Sequence, residues 1–165
     1  MNLEQYMELA PRTYTGEKLE ILTLGFIGEP GELLDLLKKE SRGKEIKREQ
    51  WLEELGDAYW YPVVWCHVHG QSFMERMYRS ERGVMDNYGI RANLRYMTYS
   101  GLVIDECDEM GYGSYAVANA RIENYLANLK HVREKLGFTL EEVFEYNIVK
   151  LMNRYPQCFE GVTLE

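Results

Sequence analysis

The chain has 165 residues, enough to bury a sizeable core in one domain, and its 45% hydrophobic and 28% charged content marks it as globular rather than disordered. Its formal net charge of -8 repels a phosphodiester backbone, and no long Lys/Arg run offsets it, which argues against polymeric nucleic acid as a partner. Small phosphates are still allowed, because a divalent cation inverts the local charge logic.

Cys66, Cys107 and Cys158 are widely spaced with no C-x-x-C pair, so neither a disulfide framework nor a zinc site is expected, and a reducing, cytoplasmic setting fits best. No apolar run approaches the roughly eighteen residues of a membrane span or forms a signal-peptide core. The longest candidate, AYWYPVVWCHVHG, is short and holds two histidines.

The pattern is helical almost throughout, and strand-like alternation is scarce. A first helix is predicted near Leu3 to Ala10, stopped by Pro11, and a long second one from about Glu17 to Arg42. SRGKE then reads as a polar loop. The third helix runs from about Lys47 or Glu49 to His69, where Gly70 serves as its C-terminal cap. Between about Gln71 and Asn119, Gly83, Gly89, Gly101, Gly111 and Gly113 separate pieces expected to form two helices joined by loops. A further helix spans about Ser114 to Leu136 and ends at Gly137. Thr139 and Glu142 make a T-x-x-E capping box that starts the last helix, which ends before Pro156. No repeat or linker interrupts the chain, and GYGSY lacks the spacing and context of a phosphate loop. An all-α helical bundle is therefore expected.

Two of these helices carry acids where leucines belong. Glu29 and Glu32 lie within about 60° of each other on the helix, and Leu22, Gly25, Leu33 and Leu36 lie within roughly 40° of Glu29. Glu54 and Asp57 repeat the arrangement on a stripe continuing through Tyr61, Val64 and Trp65. Either pair alone reads as a solvated face; two pairs on apolar stripes of consecutive helices ask for compensating positive charge, since an unpaired buried carboxylate costs several kcal/mol. Oxygen-only donors favour Mg²⁺, with Mn²⁺ as substitute, over Zn²⁺. A di-iron bundle would want Glu-x-x-His, and His67, His69 and His131 lack that partner. Glu53 and Asp35 are spaced to neighbour Asp57 and Glu32, as supporting groups or as surface charge.

The segments LGFIGEPGELLDLLKK, LEELGDAYWY and GFTLEEVFEYNIVKLMNRYPQCF, with the opening YMELAPRT, resemble in order the blocks of the MazG-like family of all-α nucleoside triphosphate pyrophosphohydrolases, related to all-α dUTPases and dCTP pyrophosphatases. The resemblance implies hydrolysis between the α and β phosphates of a nucleoside triphosphate, in nucleotide-pool cleansing. It assigns Glu29, Glu32, Glu54 and Asp57 to Mg²⁺, and makes Glu32 the candidate catalytic base. The closing block brings Asn147, Lys150 and Arg154 onto one helix face as phosphate and nucleotide contacts. Tyr61 and Tyr155 are candidate sugar or nucleotide contacts, with Trp60 a weaker one, and Lys38 and Lys39 either reach phosphates or finish a solvated helix end. A dimer or tetramer is implied as well. The alternatives are a dUTP, dCTP, modified or alarmone nucleotide substrate, and a non-catalytic nucleotide-sensing or assembly protein of the same fold.

Two departures stand out. Pro30 between the first acids and Pro62 in the second acidic helix are expected to kink or widen their helices. A stretch of about 75–126 is expected as an inserted helical segment within the single domain, with its own acids Asp105, Glu106, Asp108 and Glu109. Its Tyr88, Tyr96, Met97 and Tyr99 are expected in a core or subunit contact.

Overall fold

The structure, a computed structural model, describes residues 1–81, 88–111 and 115–164. Seven α-helices account for these residues, with no strand among them: α1 (Leu3–Leu9), α2 (Leu19–Ser41), α3 (Arg48–Val68), α4 (Phe73–Ser80), α5 (Ile90–Glu109), α6 (Tyr115–Lys135) and α7 (Leu140–Arg154). Short 3₁₀ turns follow α1 at Ala10–Thr13 and α7 at Pro156–Phe159. The all-α expectation holds, and no described helix is long and apolar enough to cross a membrane. Gly83, Gly113 and Ser114, read above as breakpoints and a helix start, lie outside the described residues.

Local chemistry sets the boundaries. Thr139 accepts from the Glu142 amide while the Glu142 carboxylate reaches back to the Thr139 amide at 2.8 Å, so the predicted capping box is formed. Asn2 and Gln5 make a second one at the start of α1. Gly70 takes φ +62° just past α3, a left-handed conformation that glycine adopts without steric cost, and Gly137 does the same past α6.

One continuous cluster of buried side chains draws on all seven helices. α2 packs between α3 and α5, α5 packs on α6, and α7 packs on α3. Leu22, Gly25, Leu33 and Leu36 are buried as the helical projection requires. Residues 75–126, read as an insertion, supply Leu94, Met97, Ile104, Ile122, Tyr125 and Leu126 to the same core. Of the four aromatic and sulfur side chains expected there in a core or a subunit contact, Met97 is buried in the core, while Tyr88, Tyr96 and Tyr99 are exposed.

Both prolines sit inside unbroken α-helix. Each has no N–H to give the carbonyl four residues earlier. In α3 that carbonyl belongs to Ala58, and the Tyr125 hydroxyl of α6 donates to it at 3.2 Å, so a side chain replaces the missing backbone donor. In α2 it belongs to Phe26. There α5 approaches so closely that a Cβ on Gly101 would lie 2.5 Å from the Phe26 oxygen. Helices α5 and α6 thus lie against the two carbonyls that the prolines release.

Two measurements check this. Tyr125→Phe leaves the buried Ala58 carbonyl without its donor and is expected to cost about 1–3 kcal/mol in urea denaturation. In a Pro62→Ala background, which restores the backbone N–H, the same change is expected to cost clearly less; equal costs in both backgrounds contradict the assignment. Gly101→Ala is expected to destabilise by about 1–3 kcal/mol, because the Phe26 backbone cannot yield, whereas Gly28→Ala, with open space around it, is expected to stabilise slightly.

Candidate metal centre

α2 delivers Glu29 and α3 delivers Glu54 and Asp57 to one half-buried spot, where one oxygen from each lies within 4.8 Å of the others. Among the described residues this is the one such convergence of three metal-ligating side chains. Glycines allow the approach. The Tyr61 ring lies across Gly25, where a Cβ would penetrate it, and a Cβ on Gly56 would lie 2.7 Å from Asn147 Cβ. So α2 closes on α3, and α3 on α7, only because both positions lack side chains.

α7 holds Asp57 from the far side. Lys150 Nζ donates to both Asp57 oxygens, at 2.5 and 2.6 Å, and Asn147 Nδ2 donates to Oδ1 at 3.0 Å. The Tyr6 hydroxyl donates to Asn147 Oδ1 at 2.9 Å, fixing which way the amide points. Lys150 also reaches Glu53, at 3.8 Å.

One ammonium against this many carboxylates leaves the spot short of positive charge. Burial pushes the Glu29 carboxyl up to about 8, with the Asp57 and Glu54 charges adding and Lys150 opposing. Burial, then Asp57, Glu32 and Glu53, pushes Glu54 up to about 7. The Tyr61 phenol rises to about 12, first from burial and then from Glu29 and Asp57. Near neutral pH these acids either keep protons or meet a cation. Converging oxygens with no sulfur or imidazole fit a hard divalent ion such as Mg²⁺ or Mn²⁺.

No family model, curated protein or solved structure matches the chain. The other residues singled out in the sequence divide by position. Glu32 is exposed and outside the converging trio, though its charge still raises Glu29 and Glu54. Asp35 turns to Lys38 and Lys39, whose hydrogen bonds pull its carboxyl down to about 2, so it does not support Glu32. Lys39, raised mainly by Asp35 and further by Glu32 and Glu54, stands at the rim.

Asn147 is wholly buried with both ends of its amide engaged, so it braces Asp57 and offers no surface to a nucleotide. Arg154 is exposed on the last turn of α7, and Tyr155, at its C-terminal cap, lies near enough to Tyr61 to oppose that phenol's ionisation. Trp60 points away, donating to Thr13 Oγ1 at 3.0 Å and to the Ala10 carbonyl. Tyr6 has no sequence signal tying it to this spot, since it lies 141 residues from Asn147. Gly25 and Gly56 had one, as glycines on apolar stripes.

Both glutamate shifts are upward from an ordinary value of 4.5, so the folded state keeps protons that the unfolded chain releases. Their contribution to stability is full below about pH 4.5 and is lost as pH rises through about 7 to 8. In chelator, the unfolding free energy is expected to fall between about pH 5 and pH 8, and Glu29→Gln to flatten that fall and stabilise the protein at the upper end. Saturating Mg²⁺ is expected to raise Tm more at the higher pH. Identical pH slopes for the parent and Glu29→Gln proteins contradict the charge assignment.

Proposed function

We propose that the protein is a Mg²⁺-dependent nucleotide pyrophosphohydrolase that cleaves (deoxy)nucleoside triphosphates to the monophosphate and pyrophosphate, in nucleotide-pool cleansing. The observation that carries this is the convergence of Glu29, Glu54 and Asp57 from two helices, with too little fixed positive charge to neutralise them. The order of the sequence blocks resembling the MazG-like family supports the reading independently of the geometry.

Bound Mg²⁺ would supply charge neutralisation for the triphosphate and a more acidic water. The residues of the chain have separate tasks. Glu29, Glu54 and Asp57 would hold the cation, while Lys150 and Asn147 hydrogen-bond Asp57 and Tyr6 orients Asn147. Glu32, which is exposed and whose charge acts on Glu29 and Glu54, would take the proton from the water that attacks the α phosphorus as pyrophosphate leaves. Tyr61 stays protonated at neutral pH and donates to an oxygen of the sugar. Lys39 at the rim and exposed Arg154 supply positive charge for phosphate oxygens that the net charge of -8 would otherwise repel.

A second reading has one observation in its favour: Lys150 occupies both oxygens of Asp57, an arrangement that suits a non-catalytic nucleotide-sensing protein. Incubating the purified chain with a panel of nucleoside triphosphates and Mg²⁺, and resolving the products, separates the two. Monophosphate plus pyrophosphate is expected, falling to background in Glu54→Gln and Asp57→Asn and on adding chelator. Nucleotide binding without turnover favours the sensor, and release of inorganic phosphate alone overturns cleavage between α and β.

A further inference from the structure

Helix α5 presents Arg91, Arg95, Tyr99, Leu102, Glu106 and Glu109 at successive steps of three or four residues, so all six fall within about 80° of one another. All six are exposed, Tyr99 and Leu102 by 54% and 52%. The buried residues of the helix, Asn93, Leu94, Met97, Ser100, Gly101 and Ile104, lie on the opposite side. The outer stripe therefore reads basic, basic, aromatic, aliphatic, acidic, acidic. Among the described residues, none of its four charges has an ion-pair partner.

This order opposes the helix macrodipole. Cations stand towards the positive N-terminal end and acids towards the negative C-terminal end, an unfavourable order for the charges in the first and last turns. α2, which runs alongside, shares the polarity. Its Lys38 and Arg42 join Arg91 around one cleft over Leu34 and Leu37, and its Glu20 and Leu24 join Asp105, Asp108 and Glu109 around another. Among the described residues, Lys38 pairs with Asp35, and the one ion pair of Glu20 is with Lys18, at 3.9 Å. One face thus has a basic end, a waist of Tyr99 and Leu102 with the Arg121 guanidinium of α6 lying 5.3 Å from the centre of the Tyr99 ring, and an acidic end, spread over about 27 Å of α5.

We infer that this face is a dimer interface whose occupant is a second copy of the same chain, with the two α5 helices antiparallel across a two-fold axis at the waist. Tyr99 and Leu102 lie equally far from the midpoint of the stripe, as do Arg95 and Glu106, and Arg91 and Glu109 nearly so. Rotation about that axis sets Tyr99 on Leu102, Arg95 on Glu106 and Arg91 beside Glu109, each contact twice, as an isologous interface requires. It also brings each acidic end to the partner's misplaced cations. A polyanion or an anionic membrane would match one end and be repelled by the other.

Sedimentation equilibrium on the full chain, with light scattering after gel filtration, tests this. A dimer is expected that weakens as salt rises. Arg95→Glu and Glu106→Arg are each expected to raise the dissociation constant by about 100-fold or more, because each sets like charges together twice. Two recoveries identify the pairing: the double variant Arg95→Glu/Glu106→Arg dimerises again, and the two single variants mixed together form a heterodimer. Circular dichroism melts are expected to stay close to the parent, since both side chains are exposed. A monomeric parent chain at about 100 μM, a dimer indifferent to both single reversals, or failure of the charge-swapped pair to recover association overturns the inference.

Discussion

Mutual repulsion among Glu29, Glu54 and Asp57 is the constraint around which the molecule is arranged. Carboxyls this close in a half-buried spot repel one another as they ionise, and they stay together only if the backbone around them is fixed independently of their own contacts. The fixing comes from every direction. Tyr61 over Gly25 and Asn147 against Gly56 set the spacing of three helices, while Lys150 supplies the one close countercharge. Tyr6 joins α1 to the same network through Asn147, whose amide it orients. The capping box at Thr139 starts α7 in the register that brings Asn147 and Lys150 to Asp57 two and three turns later.

The prolines belong to the same economy of backbone. A proline within a helix leaves a carbonyl without its donor, and here Tyr125 answers one of the two while α5 closes over the other. The stretch that looked inserted therefore supplies a donor for the carbonyl released at Pro62 and packs against the one released at Pro30, in the two helices that carry the acids. Pro30 neither ends α2 nor separates Glu29 from its partners on α3. The break that a proline is expected to make does not end α2, and α5 lies against the Phe26 carbonyl that Pro30 leaves without its backbone donor.

Features written in local chemistry were legible in the sequence. Gly70 and Gly137 ended helices where expected, and the Thr139 box began one, because caps depend on a few adjacent residues. The acidic stripes were legible for the same reason, since spacing along a helix fixes the face. Glu32 was not separable from Glu29, because 60° on a wheel is within the rotation that packing decides, and packing turned Glu29 inward. Asn147 looked like a ligand contact because spacing gives a side chain's face and says nothing of its depth. The role of Tyr6 and the match of Tyr125 to Ala58 are tertiary facts, joining residues far apart in the chain. The tyrosines of α5 read as core or subunit contact from composition, and composition cannot tell a helix's inner side from its outer one.

The three tryptophans, Trp51, Trp60 and Trp65, all lie on α3, the helix that carries Glu54 and Asp57. Two are buried, and the indole of Trp60 is hydrogen-bonded to the turn after α1 one helical turn beyond Asp57. Intrinsic tryptophan emission is consequently a spectroscopic signal from a single helix. Rearrangement of the acidic cluster, whether by a cation, a nucleotide or a proton, takes place within the optical field of view of the protein's own fluorophores, with no label attached.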